Sequence, residues 1–83
     1  MAKGNTMKTS LFSRYTWLIE TIGRNGRIAF EGIDQAWMLS SLNQDKEHLP
    51  KKTFQNHCAK IKELFGFDIL CDKKDDYRYY IDN

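Results

Sequence analysis

The chain has 83 residues, 41% of them hydrophobic, which suffices for one small domain and excludes a disordered or collagen-like chain. No apolar run approaches the roughly 20 residues of a membrane helix, and residues 1–5 lead into no apolar segment of a signal peptide. Cys58 and Cys71 lie in apolar-periodic stretches and are interpreted as small hydrophobes in a reducing cytosol. These features predict a cytoplasmic domain without a membrane partner, while the net charge of +2 identifies no partner.

The first predicted helix covers residues 11–23, after a polar and basic tail at residues 1–9 that is expected to be disordered. Its apolar residues recur at spacings of four, three and four, which places them on one helical face. They are Leu11, Tyr15, Leu18 and Ile22. Ser10 is a suitable N-cap, and the Gly and Asn residues at 23–26 favour termination. Trp17 lies off this face and is predicted to pack under another element, with contact to a second subunit or a missing domain as the alternative.

A short strand and a second helix are predicted next. Residues 27–30 can form a strand at the edge of a sheet, and residues 31–40 have the pattern of a helix with one apolar face. That face comprises Phe30, Ile33 and Trp37. No Ser, Thr or Asp stands at the capping position, so the start of this helix is weakly marked. Residues 41–48 form a polar loop.

The third predicted helix covers residues 50–65, because Pro50 suits the first turn and Gly66 suits the end. At 100° per residue, its apolar residues share one face. They are Phe54, Cys58, Ile61 and Phe65, with His57 and Leu64 at the edge. The opposite face is polar. Its residues are Lys52, Gln55, Asn56, Ala59 and Glu63, with Lys60 at the margin.

Two β-rich runs, residues 67–72 and 77–81, flank a polar turn at residues 73–76 and predict an antiparallel hairpin. Alternate side chains along the runs are predicted to face inward. They are Phe67, Ile69 and Cys71 in the first run, and Tyr77, Tyr79 and Ile81 in the second. Three helices and a hairpin, with residues 27–30 as a third strand, predict a mainly α fold with a small antiparallel sheet. This is a winged helix-turn-helix domain over residues 10–83.

The polar face of the third helix predicts binding of double-stranded DNA in the major groove, with residues 67–82 as the wing. Lys, Gln and Asn side chains can reach base edges there. The predicted base contacts are Lys52, Gln55 and Asn56. Lysines, arginines, hydroxyls and a helix N-terminus all suit phosphate. The predicted backbone contacts are Lys51, Thr53, Lys60, Lys73, Lys74 and Arg78.

Several short stretches also resemble a known family. The run from residue 49 to 61, with Thr53 and Phe54 followed by Gln55 and Asn56, resembles the recognition helix of DeoR-like winged helices. A wider set is similar to the N-terminal DNA-binding domain of bacterial WYL-domain transcriptional regulators. That set consists of Arg14-Tyr15 and residues 25–28, 53–57, 64–66 and 79–83.

The resemblance to WYL-domain regulators implies a winged-helix DNA-binding domain. Family members carry a ligand-sensing WYL domain after it, which this chain is expected to lack. Gln55 and Asn56 stand where the DeoR-like recognition helix usually has arginines. The link of about nine residues before the third helix is longer than the turn of the simplest helix-turn-helix.

Other functions find less support in the sequence. The main alternative is a winged helix that binds protein, but such a surface should carry aromatic, Leu or Met anchors. RNA binding would need an aromatic pair on a strand, for which only Tyr77 and Tyr80 are candidates. A homodimer would form through regions outside this chain.

Metal binding and catalysis are predicted to be absent, and no cofactor is expected. The potential metal ligands lack CxxC or HxxxH spacing. They are His48, His57, Cys58 and Cys71. His57 and Cys58 diverge by about 100° as helix neighbours, which argues against a nucleophile and base pair. The sequence therefore predicts that the domain is not an enzyme.

Overall fold

A computed structural model describes residues 10–82 and shows three α-helices followed by a β-hairpin. The helices are α1 (Leu11–Asn25), α2 (Phe30–Leu39) and α3 (Lys51–Phe65). The strands are β1 (Asp68–Asp72) and β2 (Arg78–Asp82), which pair antiparallel. This arrangement is a winged-helix layout and confirms the predicted fold class. The predicted tail at residues 1–9 lies outside the described residues.

Helix α1 begins at the capping residue that the sequence predicts, but it ends at Asn25, two residues later than predicted. The Ser10 hydroxyl accepts a hydrogen bond of 3.1 Å from the Ser13 N–H. Gly26, with φ +77°, ends the helix and donates its N–H to the Ile22 carbonyl. The prediction for Leu11 was wrong: it is 56% exposed, because the first turn of α1 lies beyond the core.

Residues 27–30 do not form the predicted third strand. Ile28 alone pairs with the hairpin, exchanging two backbone hydrogen bonds of 3.0 and 2.7 Å with Tyr79. Because α2 already begins at Phe30, the segment has no room to extend this bridge, and the sheet has two strands. Ala29 caps α2 without a side-chain hydrogen bond, in agreement with its weak start signal.

The turn of the hairpin is one residue longer than predicted. A 3-10 turn at Lys73–Asp75 is followed by Asp76, and the strands close with Asp72 opposite Arg78. Tyr77 therefore belongs to the turn, and it is 61% exposed instead of facing inward. Cys71 was also predicted to face inward. It is exposed, like most of residues 70–78.

Side chains from all three helices form the core. Its buried hydrophobic residues are Tyr15, Leu18, Ile22, Ile33, Trp37, Leu49, Phe54 and Ile61. Trp17 packs edge-on against Trp37 with ring centroids 5.1 Å apart, which confirms its predicted place under another element. Phe54 is fully buried and lies 5.4 Å from the Phe30 ring and 4.9 Å from the Tyr79 ring. It therefore joins α3 to both α2 and the hairpin.

The loop before α3 is fixed by two polar side chains. The Asp34 carboxylate accepts a hydrogen bond of 2.7 Å from the Leu49 N–H and lies 2.8 Å from His48 Nδ1. Burial raises the pKa of Asp34, but the Leu49 N–H and His48 outweigh it and lower that pKa below its usual value. Asn43, 4% exposed, donates to two backbone carbonyls at 3.1 and 2.9 Å. These contacts position the start of α3.

Candidate nucleic-acid interface

The exposed face of α3 is polar along most of its length. Its large apolar residues turn toward the core, so the opposite side of the helix faces solvent. The exposed residues there are Lys52, Gln55, Asn56, Ala59, Lys60 and Glu63. The three predicted base-contacting residues thus lie together on one surface. Helix α3 as a whole carries four lysines against one glutamate.

The N-terminus of α3 carries no cap that would occupy its donors. Pro50 is the N-cap and has no N–H, and no side chain accepts a hydrogen bond from the first turn. Within residues 10–82, the N–H groups of Lys51, Lys52 and Thr53 have no protein acceptor. Together with the helix dipole, these donors leave a partial positive charge that suits a phosphate. The Lys51 side chain lies at this end of α3, with Nζ 5.0 Å from the centre of the Phe30 ring.

The lysines of α3 differ in their ion pairing. Lys52 has no carboxylate partner among the described residues, whereas Lys60 Nζ lies 3.3 Å from the Glu63 carboxylate. Lys62 pairs with Asp68 at the start of β1. Because the Lys60 pair is solvent-exposed, it is weak and can be exchanged for another anion.

Two aspartates of the hairpin, Asp72 and Asp75, are paired with arginines. Arg27 Nη1 lies 2.9 Å from the Asp72 carboxylate and 3.4 Å from that of Asp75, and Arg78 lies 3.6 Å from Asp75. The Arg27 guanidinium also lies 4.5 Å from the centre of the Tyr80 ring. Arg78, a predicted backbone contact, thus shares a carboxylate with Arg27 and is less available for phosphate.

The tip of the hairpin holds the other two predicted wing contacts. Lys73 and Lys74 are exposed in the 3-10 turn, and neither has an ion-pair partner in the described part of the chain. Over residues 68–82 the hairpin has five aspartates and three cationic side chains. The tip therefore carries two unpaired lysines beside Asp75 and Asp76, on an acidic hairpin.

Arg14 is a cation that helical periodicity does not identify as a binding group. Its guanidinium lies 5.5 Å from the centre of the Trp37 ring, and its buried Nε has no hydrogen-bond partner. It lines an open cavity of about 250 Å³ that reaches Thr53 in the first turn of α3. Asp45 and Glu47 line the same cavity, which therefore has mixed charge. Arg14-Tyr15 belongs to the resemblance to WYL-domain regulators, but helical periodicity does not reveal the place of Arg14, because that place depends on how α1 packs on its neighbours.

His57 lies on the inner side of α3, next to the exposed Asn56. It is 6% exposed, its ring lies 5.3 Å from the Tyr15 ring, and its Nε2 has no hydrogen-bond partner. Burial, assisted by the Arg14 charge, lowers the pKa of His57 below 6.5. Burial also raises the pKa of the Cys58 thiol to about 12, which keeps the thiol protonated and a poor nucleophile.

Exposed apolar side chains lie at the C-terminal end of α3 and at the neighbouring start of α1. Leu64 is 58% exposed, and the start of α1 adds Leu11 and Phe12, which are 56% and 61% exposed. The Phe12 ring lies 5.6 Å from the Phe65 ring, which brings these two helix ends together. We call Leu11, Phe12 and Leu64 the apolar patch. Such side chains are typical anchors for a protein partner.

Comparisons of the chain with protein-family models, curated proteins and solved structures found no match. The similarity to DeoR-like and WYL-domain regulators therefore stays a prediction from short stretches of sequence. Within the range 10–82, no helix is both long and apolar enough to cross a membrane.

Proposed function

We propose that this domain binds double-stranded DNA sequence-specifically, as the DNA-binding part of a transcriptional regulator. Helix α3 lies in the major groove, where Lys52, Gln55 and Asn56 contact base edges. The observation that carries this proposal is the polar, cationic face of α3 next to an uncapped helix N-terminus. Base-reading and phosphate-binding groups adjoin on a single rigid helix.

The side chains on α3 match the chemistry of the major groove. A groove about 12 Å wide admits a helix, and Gln and Asn can each form two hydrogen bonds with adenine. Lysine can reach guanine or a phosphate. The free N–H groups at the start of α3 bind the backbone with Lys51 and Thr53, and Lys60 extends this contact along the helix. The hairpin follows the adjacent backbone with Lys73, Lys74 and Arg78.

The test is the affinity for random-sequence duplex DNA across a salt series, measured by fluorescence anisotropy. Between about 50 and 200 mM salt, log K should fall linearly with log salt, with a slope of about −0.9 for each phosphate neutralised. A total slope of several units is expected from the predicted backbone contacts. Cooperative unfolding on heating shows that the protein is folded. If such folded protein does not bind DNA at the lowest salt, the proposal is contradicted.

A second candidate function, protein binding, is favoured by the apolar patch. The patch supplies the anchors that a protein interface needs, at the end of α3 away from the uncapped N-terminus. Sedimentation at increasing concentration tests whether a second copy covers it, with Leu64→Lys as the variant. Self-association that Leu64→Lys abolishes, with DNA affinity retained, would assign the two functions to separate surfaces. A strict monomer would exclude a second copy as the partner of this patch.

A further inference from the structure

The tip of the hairpin contains two successive residues in the left-handed backbone region. Asp76 has φ +53° and Tyr77 has φ +58°. This region is unfavourable for residues with a Cβ atom, although Asp tolerates it better than a bulky aromatic residue does. Tyr77 is therefore the strained residue of the turn. Such strain persists where the surroundings enforce it, and it is concentrated at functional sites.

Packing within the domain does not account for a tyrosine at this position. The side chain is 61% exposed, and in the described part of the chain it has no ring contact and no hydrogen bond. The other tyrosines of the hairpin differ. Tyr79 packs edge-on against Phe54, and Tyr80 lies under the Arg27 guanidinium. A glycine or asparagine would suit the backbone of residue 77 better than tyrosine does.

The charges around Tyr77 indicate what its ring would contact. Lys73 and Lys74 precede it in the same turn, exposed and without ion pairs among residues 10–82. Arg78 follows it but lies 3.6 Å from Asp75. Asp75 and Asp76 of the same turn balance the charge of the two lysines, so the tip has no net charge, but only the lysines can bind phosphate. Tyr77 is the exposed aromatic side chain of this turn.

Building on the proposed DNA binding, we propose that Tyr77 is the principal contact of the wing with the sugar-phosphate backbone. The ring packs against a deoxyribose, and the phenol hydroxyl donates a hydrogen bond to a phosphate oxygen. Lys73 and Lys74 bind the flanking phosphates. The left-handed backbone places Tyr77 in the turn with its side chain 61% exposed, whereas a strand residue would point to one face of the sheet or the other.

The test compares Tyr77→Asn with wild type in duplex-DNA affinity and thermal unfolding. Asparagine tolerates the left-handed backbone, so this variant removes the ring while keeping the shape of the turn. We expect affinity to fall roughly tenfold, the usual effect of losing a good contact, while the unfolding temperature stays equal or rises. Tyr77→Phe should show an intermediate loss, because it keeps the ring but not the hydroxyl. Asp76→Asn, the matched backbone control, should not weaken binding.

The outcomes separate this inference from the proposed function. If the wild type binds duplex DNA and Tyr77→Asn binds it with the same affinity, the role of Tyr77 is overturned and the proposed DNA binding is not. A lowered unfolding temperature that parallels the affinity loss would also overturn it, since Tyr77 would then support the fold. Failure of the wild type to bind duplex DNA would overturn both proposals together.

Discussion

The two surfaces predicted to contact DNA differ in how their charges are partnered. On α3, Lys52 forms no ion pair and no side chain caps the helix N-terminus, as far as residues 10–82 show. On the hairpin, by contrast, Arg78 shares Asp75 with Arg27. A count of cations alone therefore does not locate a binding surface. Among the described residues each surface has two lysines without an ion pair, Lys51 and Lys52 on α3 and Lys73 and Lys74 on the hairpin. Only α3 adds an uncapped helix N-terminus, and the hairpin lysines lie on a segment with five aspartates, so α3 is the stronger site.

The largest expected effect is on the free energy of unfolding, at Phe54, which joins α3 to the hairpin. Phe54 is fully buried between α2 and the hairpin. Phe54→Ala should lower the free energy of unfolding by about 3–5 kcal/mol, through lost transfer energy and the cavity left behind. Chemical denaturation measures this change. Leu64→Ala on the same helix is the control, and because Leu64 is largely exposed it should cost only about 0.5 kcal/mol. Equal effects would mean that Phe54 does not join the surfaces.

A smaller effect, on DNA affinity, is expected from a change on the surface of α3. Asn56→Ala should weaken binding to a preferred duplex by about 1–3 kcal/mol, because two hydrogen bonds to a base are lost. The preferred duplex is first selected from a randomised pool. The affinity for random duplex should change little. If both affinities fall alike, Asn56 contacts the backbone and not a base.

The start of α3 offers the next test, because α3 can present its donors only if that end is fixed. Asp34→Ala removes the acceptor of the Leu49 N–H and should lower the free energy of unfolding by about 1–2 kcal/mol. Asp45→Ala in the neighbouring exposed loop is the matched control and should change it little. A stable Asp34→Ala variant would show that other contacts fix this end.

The pH dependence of stability tests whether His57, on the inner side of α3, is buried as a neutral imidazole. Because burial lowers the pKa of His57, the unfolded chain binds a proton more readily than the folded domain does. The contribution of His57 is therefore fully present above about pH 6.5 and is lost as the pH falls from there toward its folded pKa. Thermal unfolding from pH 8 to pH 5 measures this loss. His57→Gln should flatten the curve in that range, and an unchanged curve would contradict a buried neutral imidazole.

Local signals explain which parts of the fold could be predicted from the sequence. The Ser10 cap and the Gly66 ending depend on neighbouring residues in the chain, and the structure confirms both. The surface of α3 follows from helical periodicity, which places Lys52 and Asn56 opposite the core.

The features that the sequence did not predict depend on contacts between distant segments. Arg27 meets Asp72 and Asp75 across 45 and 48 residues, so no local pattern shows that the hairpin charges are paired. The place of Arg14 over Trp37 likewise depends on helix packing. The alternation that assigned Tyr77 to a strand could not reveal a turn extended by one residue.

The most direct test measures duplex-DNA affinity over one salt series for two double variants with equal charge change. Lys51→Ala with Lys52→Ala removes the cations at the start of α3, and Lys73→Ala with Lys74→Ala removes those at the tip of the hairpin. We predict a salt slope reduced by about one unit in the α3 variant, where Lys51 contacts a phosphate and Lys52 a base, and by about two units in the hairpin variant. The loss of affinity should nevertheless be greater in the α3 variant than in the hairpin variant. A greater loss in the hairpin variant, or no loss in the α3 variant, would contradict the assignment of α3 as the main DNA-binding surface.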